Sequence, residues 1–182
     1  MTVSAASRLL SIFSFIFIAI SSVTAMPTYG HSSSDSRENL ILVTEPDGAN
    51  TTKGSDRSDI IVGNSMVNIV NGKDADDVIM GRQGNDELYG SIGNDILQGN
   101  SGADILFGEE GNDTVFGGSE EEYINGGEGL DILYGGNGDD VLEGGNGVDY
   151  FDCGEGYDIV IDFRKEEGDT AQNNCEEIMV NI

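Results

Sequence analysis

The chain has 182 residues, enough for one domain and a tail rather than two globular domains. Its 34 Asp and Glu against 8 Lys and Arg give a formal charge of −26, which opposes compaction unless a cation neutralises it. The same balance excludes nucleic acid and anionic membrane surfaces as partners, because binding to either requires Lys or Arg at phosphate groups.

The first 25 residues have the organisation of a secretory signal peptide. Arg8 precedes an uncharged apolar run from Leu9 to Val23, and Val23-Thr24-Ala25 is typical of a cleavage site. An uncleaved membrane anchor is the alternative, but the run is shorter than the roughly 20 apolar residues that a spanning helix needs. We therefore expect cleavage, a location outside the cell or at its surface, and no membrane segment in the mature form.

Residues 26–53 are expected to form a linker and an N-terminal cap. The stretch 26–37 has the composition of a flexible linker, whereas Leu40 to Val43 is expected to form a first strand. A strand at this place would cover the open end of the repeats that follow, and terminal units of repeat proteins need such a cover.

A nine-residue repeat runs without gaps from Gly54 to Ile161 and gives twelve units. One position, which we call the marker, is acidic or amide in every unit: Asp59, Asn68, Asp77, Asp86, Asp95, Asp104, Asp113, Glu122, Asp131, Asp140, Asp149 and Asp158. A glycine stands five residues before each marker, except in the last unit, where Cys153 replaces it. Two residues after each marker stands an apolar residue: Ile61, Val70, Ile79, Leu88, Leu97, Leu106, Val115, Ile124, Leu133, Leu142, Phe151 and Val160.

The residue types in a unit predict a turn followed by a strand. Glycines at the first, second and fourth positions are expected to take positive φ and to turn tightly, with carbonyl oxygens pointing inward at a cation. The last three residues favour a short strand whose middle side chain enters the core. Because one unit cannot bury its apolar side alone, units must stack. The sequence thus predicts an all-β solenoid of about six two-strand coils.

The units resemble the hemolysin-type calcium-binding repeat of RTX proteins, G-G-x-G-x-D-x-U-x. The unit at residues 135–143, GGNGDDVLE, matches every fixed position, and GRQGNDELY, GSIGNDILQ and GEEGNDTVF miss only the second glycine. The resemblance extends from Gly54 to Ile161, which is more than half of the chain. It implies a parallel β-roll in which several Ca²⁺ ions lie between the turns of neighbouring coils, held by marker carboxylates and backbone carbonyls.

The metal ligands that the resemblance implies are the ten marker aspartates: Asp59, Asp77, Asp86, Asp95, Asp104, Asp113, Asp131, Asp140, Asp149 and Asp158. Markers of alternate units fall on the same side of the roll. We expect ions between Asp86 and Asp104, Asp95 and Asp113, Asp113 and Asp131, Asp131 and Asp149, and Asp140 and Asp158. A solvated acidic face is the alternative, but carboxylates one strand spacing apart would repel each other without a cation.

Two units lack an aspartate marker, and Arg57 and Ala75 replace glycines in two further early units. Asn68 keeps an oxygen ligand without the charge, and Met66 replaces the fourth glycine of its unit. We expect the site beside Asn68 to be weak or empty. Glu122 is one methylene longer than Asp and follows Glu120, which also replaces a glycine, so the number of ions beside this turn is left open.

Residues 162–182 are expected to cap the last coil. Two cysteines, Cys153 and Cys175, are an even number in an exported chain and predict one disulfide, with two free thiols as the alternative. In the chain-entropy model, closing a loop of about 22 residues stabilises the fold by about 3 kcal/mol. That contribution would fall at the end of the solenoid, where fraying begins.

Apolar residues also stand beside the core position in the strands that follow Asp59, Asp77, Asp95, Asp113 and Asp131. They should point outward: Ile60, Val62, Val78, Met80, Ile96, Phe116, Ile132 and Tyr134. Large exposed apolar patches mark interfaces, so we expect this sheet face to contact a partner or a second copy of the chain. Ordinary β-formers on a twisted sheet are the alternative.

The sequence favours a secreted calcium-binding protein that folds on binding Ca²⁺ and acts as a structural or adhesion module, with an extracellular protein or polysaccharide as a further partner. The alternative is an accessory module associated with a carbohydrate-active enzyme. The chain has one histidine, His31, which excludes H-E-x-x-H zinc chemistry and a Ser-His-Asp triad. We therefore expect no enzymatic activity.

Overall fold

The computed structural model describes residues 39–42 and 50–180. The expected signal peptide at 1–25 and linker at 26–37 lie outside these residues. Within the described ranges the chain forms sixteen strands in two parallel sheets and has no helix. That part of the chain accordingly has no helix able to cross a membrane.

Consecutive strands lie in opposite sheets, so the chain winds as a parallel β-roll. Sheet 1 consists of β1 (Asn39–Leu42), β3 (Asp59–Val62), β5 (Val78–Gln83), β7 (Ile96–Ser101), β9 (Thr114–Ser119), β11 (Ile132–Asn137), β13 (Tyr150–Glu155) and β15 (Thr170–Ala171). Sheet 2 consists of β2 (Asn50–Lys53), β4 (Asn68–Asp74), β6 (Glu87–Ile92), β8 (Ile105–Glu110), β10 (Tyr123–Gly129), β12 (Val141–Gly147), β14 (Ile159–Phe163) and β16 (Glu177–Val180). The strands from β3 to β14 belong to the repeats, which confirms the predicted solenoid.

Neighbouring strands within each sheet of the repeats pair in parallel, and each residue lies opposite the equivalent residue two units away. Leu97 lies opposite Val115 in sheet 1, and Leu106 lies opposite Ile124 in sheet 2. Since two nine-residue units make one coil, equivalent positions of alternate units stack in straight columns. This register is what brings the marker side chains together.

The core is a double column of apolar side chains between the two sheets. All twelve predicted core residues are fully buried, with 0% of their surface exposed: Ile61, Val70, Ile79, Leu88, Leu97, Leu106, Val115, Ile124, Leu133, Leu142, Phe151 and Val160. Burial of one such side chain stabilises a fold by roughly 1.5–3 kcal/mol. The predicted core is thus confirmed at every position.

One further strand extends each sheet at the N-terminal end. The strand expected at 40–43 is β1, which pairs with β3 and packs Ile41 partly buried against the core. Strand β2, which the sequence pattern did not predict, pairs with β4 and lies with Thr52 opposite Val70. Both sheets therefore begin before the first nonapeptide.

The C-terminal segment also adds one strand to each sheet. Strand β16 begins in the register of the repeats, with Val160 of β14 opposite Ile178, and the register shifts before Phe163. Strand β15 pairs with β13 two positions beyond that register, with Tyr150 opposite Thr170. The Cys153–Cys175 disulfide is formed, with its Cα atoms 5.2 Å apart. The predicted disulfide is confirmed, and no cysteine of the chain is free.

The outer face of sheet 1 is less exposed than the sequence suggested. Of the eight residues predicted to point outward, Val62 and Met80 are buried and the other six are half-buried. Side chains of neighbouring strands cover one another in columns. Phe116 and Tyr134 stack with their ring centroids 4.7 Å apart, and Tyr134 meets Tyr150 edge-on at 6.3 Å.

Candidate metal centre

Each marker side chain points into the roll. The marker stands at or just before the start of its strand, two residues before the core residue, so both side chains project from the same side of the strand. All ten predicted aspartate ligands are 0–1% exposed. The structure brings them together as two interior ladders, one at the edge of each sheet.

One oxygen of nearly every marker carboxylate is held by the preceding coil. The backbone N–H of Asp77 donates to Oδ1 of Asp95 at 2.7 Å, and the N–H of Asp131 donates to Oδ1 of Asp149 at 3.0 Å. Equivalent bonds between 2.7 and 3.0 Å long join the other markers that lie two units apart, up to Asp158. The step from Asp104 to Glu122 is the exception among them. This bond fixes the orientation of each carboxylate.

The other carboxylate oxygen is buried and has no hydrogen-bond partner in the described part of the chain. This holds for Oδ2 of nine markers: Asp77, Asp86, Asp95, Asp104, Asp113, Asp131, Asp140, Asp149 and Asp158. Asp59 differs, because its Oδ2 accepts from the N–H and hydroxyl of Ser55 and its Oδ1 is the unpartnered atom. Leaving a buried carboxylate oxygen unpaired costs free energy that a bound cation would offset.

In eight units the first glycine provides the space beside this oxygen, from Gly72 to Gly144 with Gly117 excepted. A Cβ at Gly72 would lie 2.2 Å from Oδ2 of Asp77, and one at Gly108 would lie 2.3 Å from Oδ2 of Asp113. We expected positive φ at this position, and that expectation was wrong, because left-handed φ occurs at the second and fourth positions. The first glycine is needed for room rather than for backbone conformation.

Burial makes these carboxyl groups weaker acids than ordinary aspartates. Desolvation, followed by repulsion from neighbouring carboxylates, raises the pKa from 3.8 to about 7 in Asp77, Asp104, Asp113 and Asp131. The same burial raises the pKa of Asp95 and Asp149 to about 6. Without a cation, ladders of this kind take up protons near neutral pH.

The ligand chemistry fits a hard divalent cation. Ca²⁺ prefers 6–8 oxygen ligands from carboxylates and carbonyls. Among the described residues no three His, Cys, Asp or Glu side chains are grouped so that they could hold one metal ion, so an ion would have neighbouring carboxylates of a ladder in pairs. The remaining oxygens of a Ca²⁺ shell would be backbone carbonyls of the turns, as the sequence predicted.

In the unit of Asn68, the side-chain amide donates hydrogen bonds where a cation would otherwise bind. Its side-chain amide donates to Oδ1 of Asp86 at 2.8 Å and to the carbonyl of Met66. A donor NH₂ group therefore lies where the other units leave an unpartnered oxygen. This geometry supports the expectation of a weak or empty site beside Asn68.

Glu122 interrupts the second ladder. Its side chain is 3% exposed, and neither of its carboxylate oxygens has a hydrogen-bond partner among the described residues. Burial and repulsion from Asp140 and Asp104 raise its pKa strongly. Because its side chain is one methylene longer, Glu122 does not accept the bond from the backbone N–H of Asp104 that would hold an aspartate at this position.

Two carboxylates that the sequence reasoning did not single out continue the ladders. The N–H of Asp149 donates to Oδ1 of Asp169 at 2.9 Å, and the N–H of Asp158 donates to Oε2 of Glu176 at 3.0 Å. Glu176 stands two repeat lengths after Asp158, so extending the period past the last glycine would have found it. Asp169 stands two places beyond the position that the same period predicts from Asp149, and no regular period reaches it.

Comparison with known proteins identifies the repeat family. The profile of the RTX calcium-binding nonapeptide repeat matches four segments, residues 53–88, 62–97, 89–121 and 125–160, which together cover more than half of the chain. No curated protein matches the sequence. All ten marker aspartates lie in the matched segments, and these repeats bind calcium. The chain therefore belongs to the RTX calcium-binding nonapeptide repeat family.

Proposed function

We propose that this chain acts outside the cell as a calcium-dependent structural or adhesion module whose β-roll folds when Ca²⁺ binds. The unpartnered, buried carboxylate oxygens carry this proposal. A roll with this interior needs either protons, which neutralise the carboxylates, or cations, which bind them in their charged form. Folding and binding are then a single event.

Export would supply the calcium. Extracellular calcium modules bind the ion at about 10⁻⁴–10⁻³ M, far above the free concentration inside cells. The formal charge of −26 would keep the chain expanded before export. The expected leader at residues 1–25 supports this order of events.

We further propose that the module is not catalytic. The ionisable side chains that the roll gathers in its interior are carboxylates of the two ladders, which are buried and held by backbone N–H groups. A partner would therefore meet the outer surface rather than the ladders. An extracellular protein or polysaccharide is the proposed partner.

The outer face of sheet 1 supports a weaker proposal of self-association. Its half-buried columns, including Ile96, Ile132 and Tyr134, keep part of their apolar surface in contact with water. Sedimentation of the Ca²⁺-loaded protein across a range of concentrations tests this directly. A single monomer species at every concentration contradicts self-association and leaves the calcium proposal intact.

Calcium-dependent folding is tested by far-UV circular dichroism at pH 7.5. The protein in EDTA should give a coil-like spectrum, and millimolar Ca²⁺ should produce a β spectrum and a smaller hydrodynamic radius. Mg²⁺ at the same concentration is the control, because it demands shorter, octahedral geometry and gives up its water reluctantly. A spectrum that does not change on adding Ca²⁺ contradicts the proposal.

A further inference from the structure

The two carboxylate ladders end in the segment that follows the repeats, and they end differently. Asp169 receives the last backbone bond of the ladder along sheet 1, and Glu176 receives the last bond of the ladder along sheet 2. Both residues lie beyond residue 160, where the match to the repeat family stops.

The end of the first ladder is closed by the protein itself. Oδ2 of Asp169 accepts from the backbone N–H of Arg164 at 2.6 Å, so both oxygens of this carboxylate are engaged. The Arg164 guanidinium pairs with Asp162 at 3.0 Å and donates to Asn146 at 2.7 Å. Backbone donors thus hold both oxygens of the last carboxylate of this ladder, although Oδ2 of Asp149 has no hydrogen-bond partner among the described residues.

The end of the second ladder has no such closure. Asp158 is fully buried, and its Oδ2 has no hydrogen-bond partner in the described residues. The facing carboxylate, Glu176, is exposed to solvent, so an ion can reach the pair. A buried, unpartnered oxygen beside an accessible carboxylate is the arrangement that an oxygen-preferring cation binds.

The disulfide places Glu176 at this position. Cys153 occupies the place of the first glycine in the unit whose marker is Asp158, and Cys175 directly precedes Glu176. The bridge therefore ties the start of the last turn to the neighbour of the last carboxylate. Cys153 is fully buried in the core, so the anchor is rigid.

We propose that Asp158 and Glu176 form a further Ca²⁺ site outside the nonapeptide repeats, and that the Cys153–Cys175 disulfide assembles it. Occupancy of this site then depends on the oxidation state of the cysteines. The inference rests on the proposed calcium function but concerns one additional site. It predicts that the oxidised protein binds one more ion per chain than the repeats alone provide.

The number of bound Ca²⁺ ions, measured by native mass spectrometry of the full chain, tests the carboxylate pair. Glu176→Gln should bind one ion fewer than wild type, because the exposed ligand loses its charge while the disulfide stays in place. Glu166→Gln, an exposed residue of the same segment outside the ladders, makes the same change of charge and should keep the full number. Equal numbers for wild type and Glu176→Gln overturn the site.

Terbium luminescence gives a second, local measurement. Tyr157 directly precedes Asp158 and is 54% exposed, so it can sensitise Tb³⁺ bound between Asp158 and Glu176. Tyr157→Phe should lower the emission without changing the number of bound ions. Unchanged emission in both Tyr157→Phe and Glu176→Gln overturns the proposed position.

The role of the disulfide is tested by the paired Cys153→Ser and Cys175→Ser variant. It should bind one ion fewer while circular dichroism in Ca²⁺ retains the β spectrum of the remaining roll. A full complement of ions in this variant overturns the dependence on the disulfide. Wild type that binds no calcium at all overturns the proposed function itself, which separates the two failures.

Discussion

At the scale of the residue, every marker aspartate except Asp59 uses its two oxygens for different tasks. Oδ1 accepts a backbone N–H from the neighbouring coil, and Oδ2 is left buried without a partner. The first bond orients the carboxylate before any ion arrives. The second oxygen then makes the fold depend on a cation, because an unpaired buried charge is costly.

Asp113→Asn tests the charge at one marker without changing its shape. The amide keeps an oxygen for the bond from Asp95 but removes the negative charge beside two proposed ions. Charge-assisted contacts contribute about 1.5–3 kcal/mol, so the Ca²⁺ midpoint of folding should rise about tenfold. Asp74→Asn, an exposed residue of β4, is the matched control and should leave the midpoint unchanged. Equal midpoints in both variants contradict a ligand role for Asp113.

Glu122→Asp restores the regular marker and should stabilise the loaded protein. A shorter carboxylate can accept the backbone N–H of Asp104, a bond that the other steps of the ladder have. One such bond is worth about 1 kcal/mol, which raises Tm by about 2–4 °C for a domain of this size. Differential scanning calorimetry in saturating Ca²⁺ measures it, with Glu121→Asp as the exposed control. An unchanged or lower Tm argues that Glu120 rather than Glu122 limits this turn.

At the scale of the element, the first and second positions of a turn have different structural requirements. In the unit of Asp113 the first residue must lack a Cβ, because Gly108 lies against Asp113 and against the carbonyl of Gly126. The second residue takes left-handed φ even where it is not glycine, as in Glu109 with φ of 77°. Adjacent residues of one turn should therefore respond oppositely to substitution.

Gly108→Ala and Glu109→Gly make that contrast measurable. The added Cβ would approach Oδ2 of Asp113 to 2.3 Å, so Gly108→Ala should lose about 1–3 kcal/mol of stability in Ca²⁺. Glu109→Gly removes the strain of a left-handed residue and should gain about 1 kcal/mol. Glu109→Gln separates the effect of charge from that of conformation. Denaturant unfolding of all three provides the comparison, and stabilisation by Gly108→Ala contradicts the spatial argument.

The repeat period was sufficient to predict the strands and core of β3 to β14, because every unit keeps an apolar residue two places after its marker. The period could not predict the parts of the fold in which the glycine and apolar positions of the repeat are absent. Strand β2 has Thr52 in the core position, and Glu45 stands five places before Asn50, where a unit has its first glycine, so only Gly48 of the repeat pattern precedes it. Asp169 follows a two-residue insertion that only the folded chain reveals as an extension of the ladder. The demand for space at the first glycine likewise depends on contacts between coils.

At the scale of the whole molecule, the ladders make stability depend on pH in opposite ways with and without metal. Unfolded aspartates have a pKa of about 4. In the folded, metal-free roll the pKa is about 7 in Asp77, Asp104, Asp113 and Asp131. The folded state therefore holds protons more tightly than the unfolded state. Protonation favours folding fully below pH 4, and that contribution disappears as the pH rises through 7.

We expect the protein in EDTA to have more β structure at pH 4.5 than at pH 7.5, as measured by circular dichroism. In millimolar Ca²⁺ the order should reverse, because the ion competes with protons for the same carboxylates and gains as they ionise. Asp113→Asn should weaken the dependence on pH in EDTA, since one titrating group is removed from the ladder. Greater order at pH 7.5 than at pH 4.5 without metal would mean that the carboxylates ionise freely inside the roll. The cation would then not be what holds the coils together.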